Sequence, residues 1–522
     1  MVIVKRGSIR PPLNPPAVAA AAAVTNFIRC CLFCRERRPT RVEVVMLTAA
    51  RTVAAVVLVL AGHPRTAEAR IGTFWHVTDF HYDLNYTTSG DPKKMCWDTR
   101  DVSRSVGEFG DYSCDAPFSL LTSAVNAMKR FKSNPDFILW TGDDTAHVPN
   151  DYFSTEVVVN IVANLTDLIA SHFPNTPVFP VLGNHDYYPK NQMPVGPNRL
   201  QSEVADLWKK WFQQLEGHEE NVYDSFNSSG RYVADVAGSK VTVVALNTLI
   251  WYKSNNETAL LPNTSSDGLD PDEQFSWANK LLTELAKKGR KVYLVGHIPP
   301  GTFERYQQER KGFHWYQPRY NERFIQLVQQ HAHVIEAQFF AHHHTDSFRL
   351  FFEEKKNQEQ RIPISYQLLS PGVTPWRSTL SEETGANNPG IRLVYYNTTT
   401  GKVVDVSTYY LDLSAANLEG RAEWQLEYNF SSTYNLMSLN PVALYEVAKN
   451  MKANRTVFDL YYRANTVGLE DPEKCTEKCR LLHYCAITEM NYSRFYDCNN
   501  GVRPSWRVAL AVVPFLLVLV AR

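Results

Sequence analysis

Short apolar runs that lead directly into polar or glycine-containing motifs constrain the fold of this chain more than any other feature. The runs are rich in β-branched and aromatic residues and lie at 73–78, 137–141, 178–182, 292–295 and 334–340. Runs of this kind are typical of strands that are buried on both faces. Helical patterns separate several of them, at 119–131, 155–172, 200–215, 272–288 and 321–331. This alternation predicts an α/β protein whose sheets are covered by helices.

Polar motifs follow the predicted strands at once. In α/β sheets, sites form in the crevice beyond the carboxyl ends of the strands, so residues far apart in sequence can meet there. Alone, each motif here is commonly a surface turn or a chance pairing. Five in succession, each after a strand, indicate one shared site. The motifs are Asp79-x-His81, Gly142-Asp143-Asp144, Gly183-Asn184-His185-Asp186, Gly296-His297 and His342-x-His344.

The residue types in these motifs suit metal binding. Carboxylate, amide and imidazole groups together supply the ligands that two hard-to-borderline divalent ions require. Because side chains alternate along a strand, Asp-x-His should direct two side chains the same way while Phe80 packs into the core. Asp143 is the natural carboxylate to bridge two ions. The candidate ligands are Asp79, His81, Asp143, Asn184, His297, His342 and His344.

The cysteines outside the N-terminal extension indicate disulfide bonds. Six cysteines form two clusters that lie far apart in sequence, so local pairing is the simplest interpretation: Cys96 with Cys114, and two bridges among the last four. Their connectivity stays open, as do free buried thiols or a zinc site at the C-terminal cluster. The C-terminal cysteines are Cys475, Cys479, Cys485 and Cys498.

Export is predicted by two further features. A short basic n-region at Arg51, an apolar stretch at 53–61 and Ala67-Glu68-Ala69 form a signal peptide that starts at Met46 and spans 46–69. We expect residues 1–45 to be an extension absent from the mature protein or disordered; a signal-anchor that starts at Met1 is the alternative. Nine sequons for N-glycosylation occur, at Asn85, Asn164, Asn227, Asn256, Asn263, Asn397, Asn429, Asn454 and Asn491.

The C-terminus resembles the signal for a glycosylphosphatidylinositol (GPI) anchor. Small residues at 499–501 and a polar spacer precede an apolar run at 508–521. That run is shorter than the roughly 20 residues of a membrane-spanning helix. We therefore predict a GPI signal at 501–522, with a short transmembrane anchor or a buried terminal helix as alternatives. The protein is expected outside the cell, either secreted or tethered to the outer membrane leaflet.

The pattern changes at about residue 415. We predict a catalytic domain at 70–414 and a small helical subdomain at 415–500, with helices at 423–429 and 440–450 and the disulfide cluster after them. The chain of 522 residues is long enough for both. Its formal net charge of zero gives no indication of a nucleic-acid polymer as partner.

The order of the five motifs resembles the calcineurin-like metallophosphoesterase superfamily. Asp144, Thr145 and the run 147–149, together with 297–301 and 345–346, resemble its acid sphingomyelinase branch. The resemblance covers about 71–500. It implies a sandwich of two mixed sheets flanked by helices, a C-terminal helical subdomain and two zinc ions. It also implies that Asp79, His81, Asp143 and His297 hold or bridge one ion, and that Asn184, His342 and His344 complete the other side.

Two departures from that family stand out. Ala341 replaces the glycine that usually precedes His-x-His, which would strain a backbone that needs a positive φ. Residues 1–70 contain no Cys-rich saposin module, which puts extraction of lipids from bilayers in doubt.

The resemblance also implies a mechanism. A two-metal site lowers the pKa of a water, so hydroxide can attack phosphorus. The leaving oxygen then needs a proton, and His147 and His185 are the predicted donors because they lie beside the ligand motifs. An ordinary loop histidine remains the alternative interpretation of His147.

These features predict a monomeric phosphodiesterase for small phosphodiesters or phosphoanhydrides such as nucleotides. Two alternatives stay open: a sphingomyelin-type phospholipid phosphodiesterase that releases phosphocholine, and a signalling or binding protein with weak catalysis.

Overall fold

Two mixed β-sheets form the centre of the protein. The computed structural model describes residues 70–97, 106–218, 221–308, 311–353 and 361–501. The predicted N-terminal extension, the signal peptide and the GPI signal beyond Gly501 lie outside these residues. The strands are β1 (Ile71–Val77), β2 (Phe137–Trp140), β3 (Val178–Pro180), β4 (Glu216–Gly217), β5 (Tyr232–Asp235), β6 (Val241–Ala245), β7 (Lys291–Val295), β8 (Ile335–Phe340), β9 (Ser347–Phe352), β10 (Pro363–Leu369), β11 (Gly390–Asn397), β12 (Val403–Leu411) and β13 (Trp424–Asn429).

Each sheet combines parallel and antiparallel pairing. The first has the order β13-β12-β11-β1-β2-β3, and its strands β1, β2 and β3 run parallel. The second has the order β4-β5-β6-β7-β8-β10-β9, and β6, β7, β8 and β10 run parallel. The five strands that lead into the motifs, β1, β2, β3, β7 and β8, all belong to these parallel sets.

Aromatic side chains fill the space between the sheets. Phe74 of β1 lies with its ring centroid 5.3 Å from that of Phe339 on β8 and 5.8 Å from that of Tyr293 on β7. The hydroxyl of Tyr232 on β5 donates to the carbonyl of Pro180 on β3 at 3.0 Å. The sheets therefore pack face to face, as the predicted sandwich requires.

Helices cover the outer faces. A separate apolar cluster lies under the second sheet and includes Val244, Leu294 and Phe324. The α-helices are α1 (Phe118–Phe131), α2 (Thr155–His172), α3 (Arg199–Phe212), α4 (Val222–Ser229), α5 (Asn256–Ala259), α6 (Ser266–Leu269), α7 (Gln274–Lys287), α8 (Pro318–His331), α9 (Leu413–Glu419), α10 (Phe430–Tyr434), α11 (Pro441–Ala453), α12 (Arg455–Asn465), α13 (Glu477–Thr488) and α14 (Tyr492–Asn499).

The predicted helix at 423–429 is wrong. This segment is β13, which pairs antiparallel with β12 at the edge of the first sheet. Its first residue Trp424 is buried, whereas Gln425 and Leu426 are exposed, as an edge strand can be where little packs on it. The sheet of the predicted catalytic domain thus continues past residue 414, and the domain boundary itself stays a prediction. The other predicted strands and helices agree with the structure to within a few residues.

The six cysteines pair locally, as expected. The bridges are Cys96–Cys114, Cys475–Cys479 and Cys485–Cys498. Because Cys475 and Cys479 are joined to each other, they offer no thiolates to zinc, which removes the zinc alternative. In the part of the chain that the structure describes, no helix is both long and apolar enough to cross a bilayer.

The nine sequon asparagines are accessible to different degrees. Asn85, Asn256, Asn263 and Asn454 are exposed, and the other five are partly exposed. Asn491 differs because its side-chain amide nitrogen donates to Glu322 at 2.9 Å and its oxygen caps α14. A glycan on that nitrogen would break the first contact, so Asn491 is the weakest of the predicted glycosylation sites.

Candidate metal centre

The loops that follow five strands meet where the carboxyl ends of the two sheets come together. The backbone amide of Asp79 donates to the carbonyl of Gly142 at 2.9 Å, which joins the loops after β1 and β2. The amide of His185 donates to Asp143 Oδ1 at 2.8 Å, which adds the loop after β3. The amide of Ala341 donates to the carbonyl of His297 at 2.9 Å, so the loops after β7 and β8 also touch.

Asp79, His81 and His344 form the first group of candidate ligands. His81 Nε2 lies 3.1 Å from His344 Nε2 and 3.8 Å from Asp79 Oδ1, and His344 Nε2 lies 3.5 Å from the same oxygen. His81 Nδ1 donates to the carbonyl of Thr145 at 2.7 Å. This bond fixes the tautomer of His81 and leaves a lone pair on Nε2, directed at the group.

Asp143, His297 and His342 form the second group. Asp143 Oδ2 lies 3.0 Å from His297 Nε2 and 3.9 Å from His342 Nδ1, and these two nitrogens are 3.2 Å apart. His297 Nδ1 donates to the carbonyl of Thr141 at 2.7 Å, so Nε2 again carries the lone pair. Asp143 Oδ2 is also 3.7 Å from His81 Nε2 of the first group. Asp143 is therefore the carboxylate that contacts both groups.

The donor set fits divalent cations. In each group, the imidazole nitrogens lie close to one another and to a carboxylate oxygen. A cation bound between them would stabilise this arrangement, because all of these atoms can act as its ligands. The buried oxygens Asp79 Oδ1 and Asn184 Oδ1 have no hydrogen-bond donor among the described residues. Asn184 is held in place through its nitrogen, which donates to Asn191 Oδ1 at 2.8 Å and leaves the oxygen free to act as a ligand.

The two groups differ from the partition implied by the family resemblance. His344 lies with Asp79 and His81, whereas His297 lies with Asp143 and His342. The two histidines of His-x-His therefore belong to different groups. Both adopt the left-handed backbone conformation, with φ of 73° at His342 and 57° at His344, so strand alternation does not set their directions.

Left-handed backbone is common to much of this site. Asp79, His81 and Asp143 have φ of 50°, 43° and 58°. Non-glycine residues rarely adopt such values, and they cluster at functional sites where the surroundings enforce them. The expected cause of convergence, alternation along an extended strand, is thus wrong for Asp79 and His81, because both lie beyond the end of β1. Phe80 between them is fully buried in the core, as predicted.

Gly142 and Ala341 are two small residues at which the backbone conformation of the ligand loops can be compared with the expectation. Gly142 has φ of 82°, and a Cβ on it would lie 2.2 Å from the backbone nitrogen of Gly183. The close approach of these two loops therefore requires glycine. The strain expected at Ala341 does not arise, because the positive φ values of its loop fall on His342 and His344 instead.

Burial and charge tune the ligands. Burial lowers the pKa of His342 and of His344 to about 4, which keeps both imidazoles neutral and able to bind a cation. Burial alone would raise the pKa of Asp143, but His297 and His185 outweigh it and hold that pKa well below its usual range. Burial lowers the pKa of His297, whereas Asp143 raises it more strongly, to about 9. A cation beside Asp143 would counteract this rise in the pKa of His297.

The predicted proton donors lie against the first group. The ring of His147 stacks on that of His81 with centroids 4.0 Å apart, and on its other face the ring of Trp376 stacks at 3.6 Å. Asp115 makes two hydrogen bonds to His147. Asp115 Oδ1 lies 2.9 Å from His147 Nδ1, and Asp115 Oδ2 accepts from the backbone amide of His147 at 2.5 Å. The ring of His185 lies 4.4 Å from that of His147. The Nε2 side of His147 is therefore left for a substrate.

Comparison with known families agrees with this geometry. The profile of calcineurin-like phosphoesterases matches residues 72–346, and that of the acid sphingomyelin phosphodiesterase C-terminal region matches residues 362–503. The chain belongs to the calcineurin-like phosphoesterases. Its second match assigns it to their acid sphingomyelinase-like branch. Membership implies binding of divalent metal and hydrolysis of phosphodiesters.

Several curated relatives cover most of the chain. Acid sphingomyelinase-like phosphodiesterase 3b of Mus musculus is 37% identical over 87% of this chain and 96% of its own length. Cyclic GMP-AMP phosphodiesterase SMPDL3A of Homo sapiens is 35% identical over 83% of this chain and 91% of its own length. Sphingomyelinase phosphodiesterase C of Dictyostelium discoideum is 33% identical over 82% and 92%. The relatives are thus phosphodiesterases named for different substrates.

Three further residues of this phosphoesterase site were not predicted. Asp186 accepts from the backbone amides of Gly183 and Asp143 at 2.8 Å and from that of Asp144 at 2.6 Å, and so ties two ligand loops together. Asp186 lies in the motif Gly183-Asn184-His185-Asp186, so a search of the sequence for a carboxylate beside glycine turns could have found it. Asp115 and Trp376 lie outside every motif, and only the fold reveals their contact with His147.

Proposed function

We propose that this chain is an exported phosphodiesterase that holds two zinc ions and hydrolyses nucleotide-type phosphodiesters or phosphoanhydrides. The observation that carries the proposal is the position of Asp143, which contacts both ligand groups. Asp79, His81 and His344 would hold one ion, and His297, His342 and Asn184 the other, with Asp143 shared between them. Oxygen and imidazole donors of this kind suit zinc.

Two bound cations would polarise the phosphoryl oxygens and lower the pKa of a water to yield the nucleophile. The chain's own residues orient the reaction. Thr141 and Thr145 fix the tautomers of His297 and His81 through their carbonyls, and Asp186 fixes the loops that carry Asp143 and Asn184. Preorganisation of this kind lowers the reorganisation that the reaction itself requires.

His147 and His185 are the proposed donors of a proton to the leaving oxygen. Asp115 Oδ1 lies 2.9 Å from His147 Nδ1, so Nε2 is the atom that reaches the substrate. Burial lowers the pKa of His147, so the ring gains the proton that it donates from Nε2 when a negatively charged substrate lies beside it. Stacking between His81 and Trp376 fixes the plane of the His147 ring beside the first ligand group. Geometry of this kind meets the first requirement for a general acid, a fixed position within reach of the bond that breaks.

Two features support a nucleotide-type substrate. The partly exposed ring of Trp376 stands beside the first ligand group, where it covers His147. Such a surface suits the planar base of a nucleotide. The human relative named cyclic GMP-AMP phosphodiesterase is consistent with this class. Relatives named for sphingomyelin make a phosphocholine lipid the second candidate.

Three disulfides support an oxidising compartment, and we propose secretion with a GPI anchor and a monomeric state. Cleavage by a phosphatidylinositol-specific phospholipase should release the native protein from cells. Retention on the membrane after that treatment would contradict the anchor.

Turnover by the mature secreted protein tests the function. We would compare a nucleotide panel with sphingomyelin in detergent, before and after EDTA and after zinc is restored. The proposal predicts nucleotide cleavage that EDTA abolishes and zinc restores, with little cleavage of sphingomyelin. Preference for sphingomyelin would establish the lipid alternative, and no turnover despite bound metal would contradict an enzymatic role.

A further inference from the structure

Lys190 places a half-buried positive charge on the wall of the candidate centre. Its side-chain nitrogen donates to the carbonyl of Val148 at 3.2 Å, and Val148 directly follows the proposed proton donor His147. Its backbone amide donates to Asn150 Oδ1 at 3.0 Å. The ammonium group is therefore fixed against the loop that carries His147.

The loop that carries Lys190 is also tied to the ligands. Asn191, its neighbour, donates through its backbone amide to the carbonyl of Asn184 at 2.9 Å and accepts from the side chain of Asn184 at 2.8 Å. The segment from the candidate ligand Asn184 to Lys190 thus folds back on itself. Lys190 therefore contacts the loop that carries His147, while its neighbour Asn191 contacts the candidate ligand Asn184.

No carboxylate of the described residues forms an ion pair with Lys190, and its ammonium group donates to the carbonyl of Val148. Asp115 and Asp143 act on it only through longer-range charge, and burial lowers its pKa. Its charge in turn contributes to the lowered pKa of both His147 and His185. A cation withdrawn from water without a counterion is costly and favours the approach of an anion.

We propose that Lys190 binds a phosphate on the leaving group and so selects phosphoanhydrides over esters with an uncharged leaving group. This inference rests on the proposed function and narrows its substrate class. In a nucleoside diphosphate ester, whichever phosphorus is attacked, the departing group carries the other phosphate. In sphingomyelin the departing group is a neutral alcohol, which gives Lys190 nothing to bind.

The position of Lys190 matches the step at which charge develops. The oxygen of water bonds to one phosphorus while the bond from that phosphorus to the bridging oxygen breaks. The bridging oxygen keeps the electron pair and departs as part of a phosphate, and the proton of the water passes to a base or to solvent. The departing phosphate gains negative charge beside His147, where the ammonium of Lys190 stabilises it.

A matched pair of substrates tests this role. Cytidine diphosphate choline has a phosphate leaving group, whereas the ethyl ester of cytidine monophosphate releases ethanol, a neutral alcohol, from the same nucleotide. For Lys190→Met we expect kcat/KM to fall about 10- to 100-fold on the anhydride, the loss of one charge-assisted hydrogen bond, and to stay within about threefold on the ester. Lys190→Arg keeps the charge and should retain most of the anhydride activity.

Lys210→Met is the control, because it removes one positive charge from an exposed position on α3. It should leave both substrates unaffected. An equal loss on both substrates in Lys190→Met, or no loss on either, would overturn the role of Lys190 while the proposed function stands. If the wild-type protein cleaves neither substrate, the proposed function fails and this inference fails with it.

Discussion

The pKa values of two adjacent carboxyl groups in the site shift in opposite directions. The imidazoles of His297 and His185 hold the pKa of Asp143 well below its usual range despite burial, so Asp143 is a carboxylate. Burial and the neighbouring Asp186 raise the pKa of Asp144 well above its usual range, and its Oδ1 accepts from the indole of Trp140 at 2.9 Å. Adjacency in sequence therefore does not imply the same role.

This contrast predicts the behaviour of two matched variants. Asp143→Asn removes the charge shared by both ligand groups, so bound metal should fall below two ions per chain and kcat/KM should drop at least about 100-fold. Asp144→Asn changes a side chain that lies in neither ligand group and accepts from Trp140, so metal content should remain unchanged. Metal analysis by mass spectrometry beside turnover of a chromogenic phosphodiester checks both. Equal loss of metal in the two variants would contradict the assignment.

The histidine donors can be separated from the ligands. His147→Ala and His185→Ala should each lower kcat about 10²- to 10⁴-fold while both ions stay bound, because neither belongs to the two ligand groups. His172→Ala, at the end of α2, serves as the control and should have no effect. Loss of metal from either site variant would show that the residue supports the centre rather than donates a proton.

At the scale of residues, the sequence predicts which side chains are candidate ligands but not how they divide into two groups. All seven candidate ligands stand in motifs that directly follow strands, so strand ends suffice to find them. Their division into two groups depends on the left-handed backbone at His342 and His344, which no pattern of residue types discloses. The contact between Asp115 and His147 could not be predicted from the sequence either, because 32 residues separate the two.

At the scale of elements, a buried ionic cluster connects the C-terminal helices to the loop after β8. Glu304 Oε2 accepts from Arg349 at 2.5 Å and lies 2.9 Å from His343 Nδ1. Glu304 Oε1 accepts from Thr345 at 2.6 Å and from Asn465, at the end of α12, at 3.1 Å. His343 stands between two candidate ligands, so this cluster supports the turn that presents them.

Glu304→Gln should therefore destabilise the protein. Breaking one partner of a buried ion pair costs about 3–5 kcal/mol of unfolding free energy. Glu446→Gln removes an exposed partner of Lys449 and should cost no more than about 0.5 kcal/mol. Chemical denaturation of both variants checks the difference, and equal small effects would contradict a structural role for Glu304.

The same substitution predicts a pH dependence. Burial would raise the pKa of Glu304, but Arg349 and His343 outweigh it and hold the pKa well below its usual range. A depressed pKa contributes stability above the unfolded value, about 4.3 for glutamate, and that contribution is lost as pH falls below it. The difference in unfolding free energy between wild type and Glu304→Gln should be largest at pH 7 and should decrease below about pH 4. A gap that widens on acidification would contradict this sign.

Strand β13 shows why one element was mispredicted. Segment 423–429 reads Glu-Trp-Gln-Leu-Glu-Tyr-Asn, a strict alternation of polar and apolar residues that is typical of a half-buried strand. The pattern itself therefore favoured a strand, and the prediction of a helix missed it. Its pairing with β12 is a long-range contact set by the sheet. Central strands such as β2 and β7 were predictable because burial on both faces leaves a clear apolar pattern.

At the scale of the whole molecule, the C-terminal part contributes directly to the two-sheet core. Helices α11 and α13 pack against β9 of the second sheet, while β13 extends the first. The described residues belong to one compact unit. The change in sequence character near residue 415 thus marks a change of local structure without separating the packing.

Truncation tests this integration. A protein of residues 70–414 loses β13 and the helices that cover β9 and β10, so it should be insoluble or unfold well below the temperature of the 70–501 protein. Size-exclusion chromatography and thermal unfolding of both proteins give the comparison. A monomeric 70–414 protein with an unchanged melting temperature would show that the C-terminal segment is a separable domain.

Anomalous diffraction at the zinc edge, from crystals of the zinc-loaded protein, tests the central claim most directly. The account predicts two peaks, one among Asp79, His81 and His344 and one among His297, His342 and Asn184, with Asp143 in contact with both. A single peak, or peaks that lie away from these side chains, would contradict the dinuclear centre on which the proposed chemistry depends.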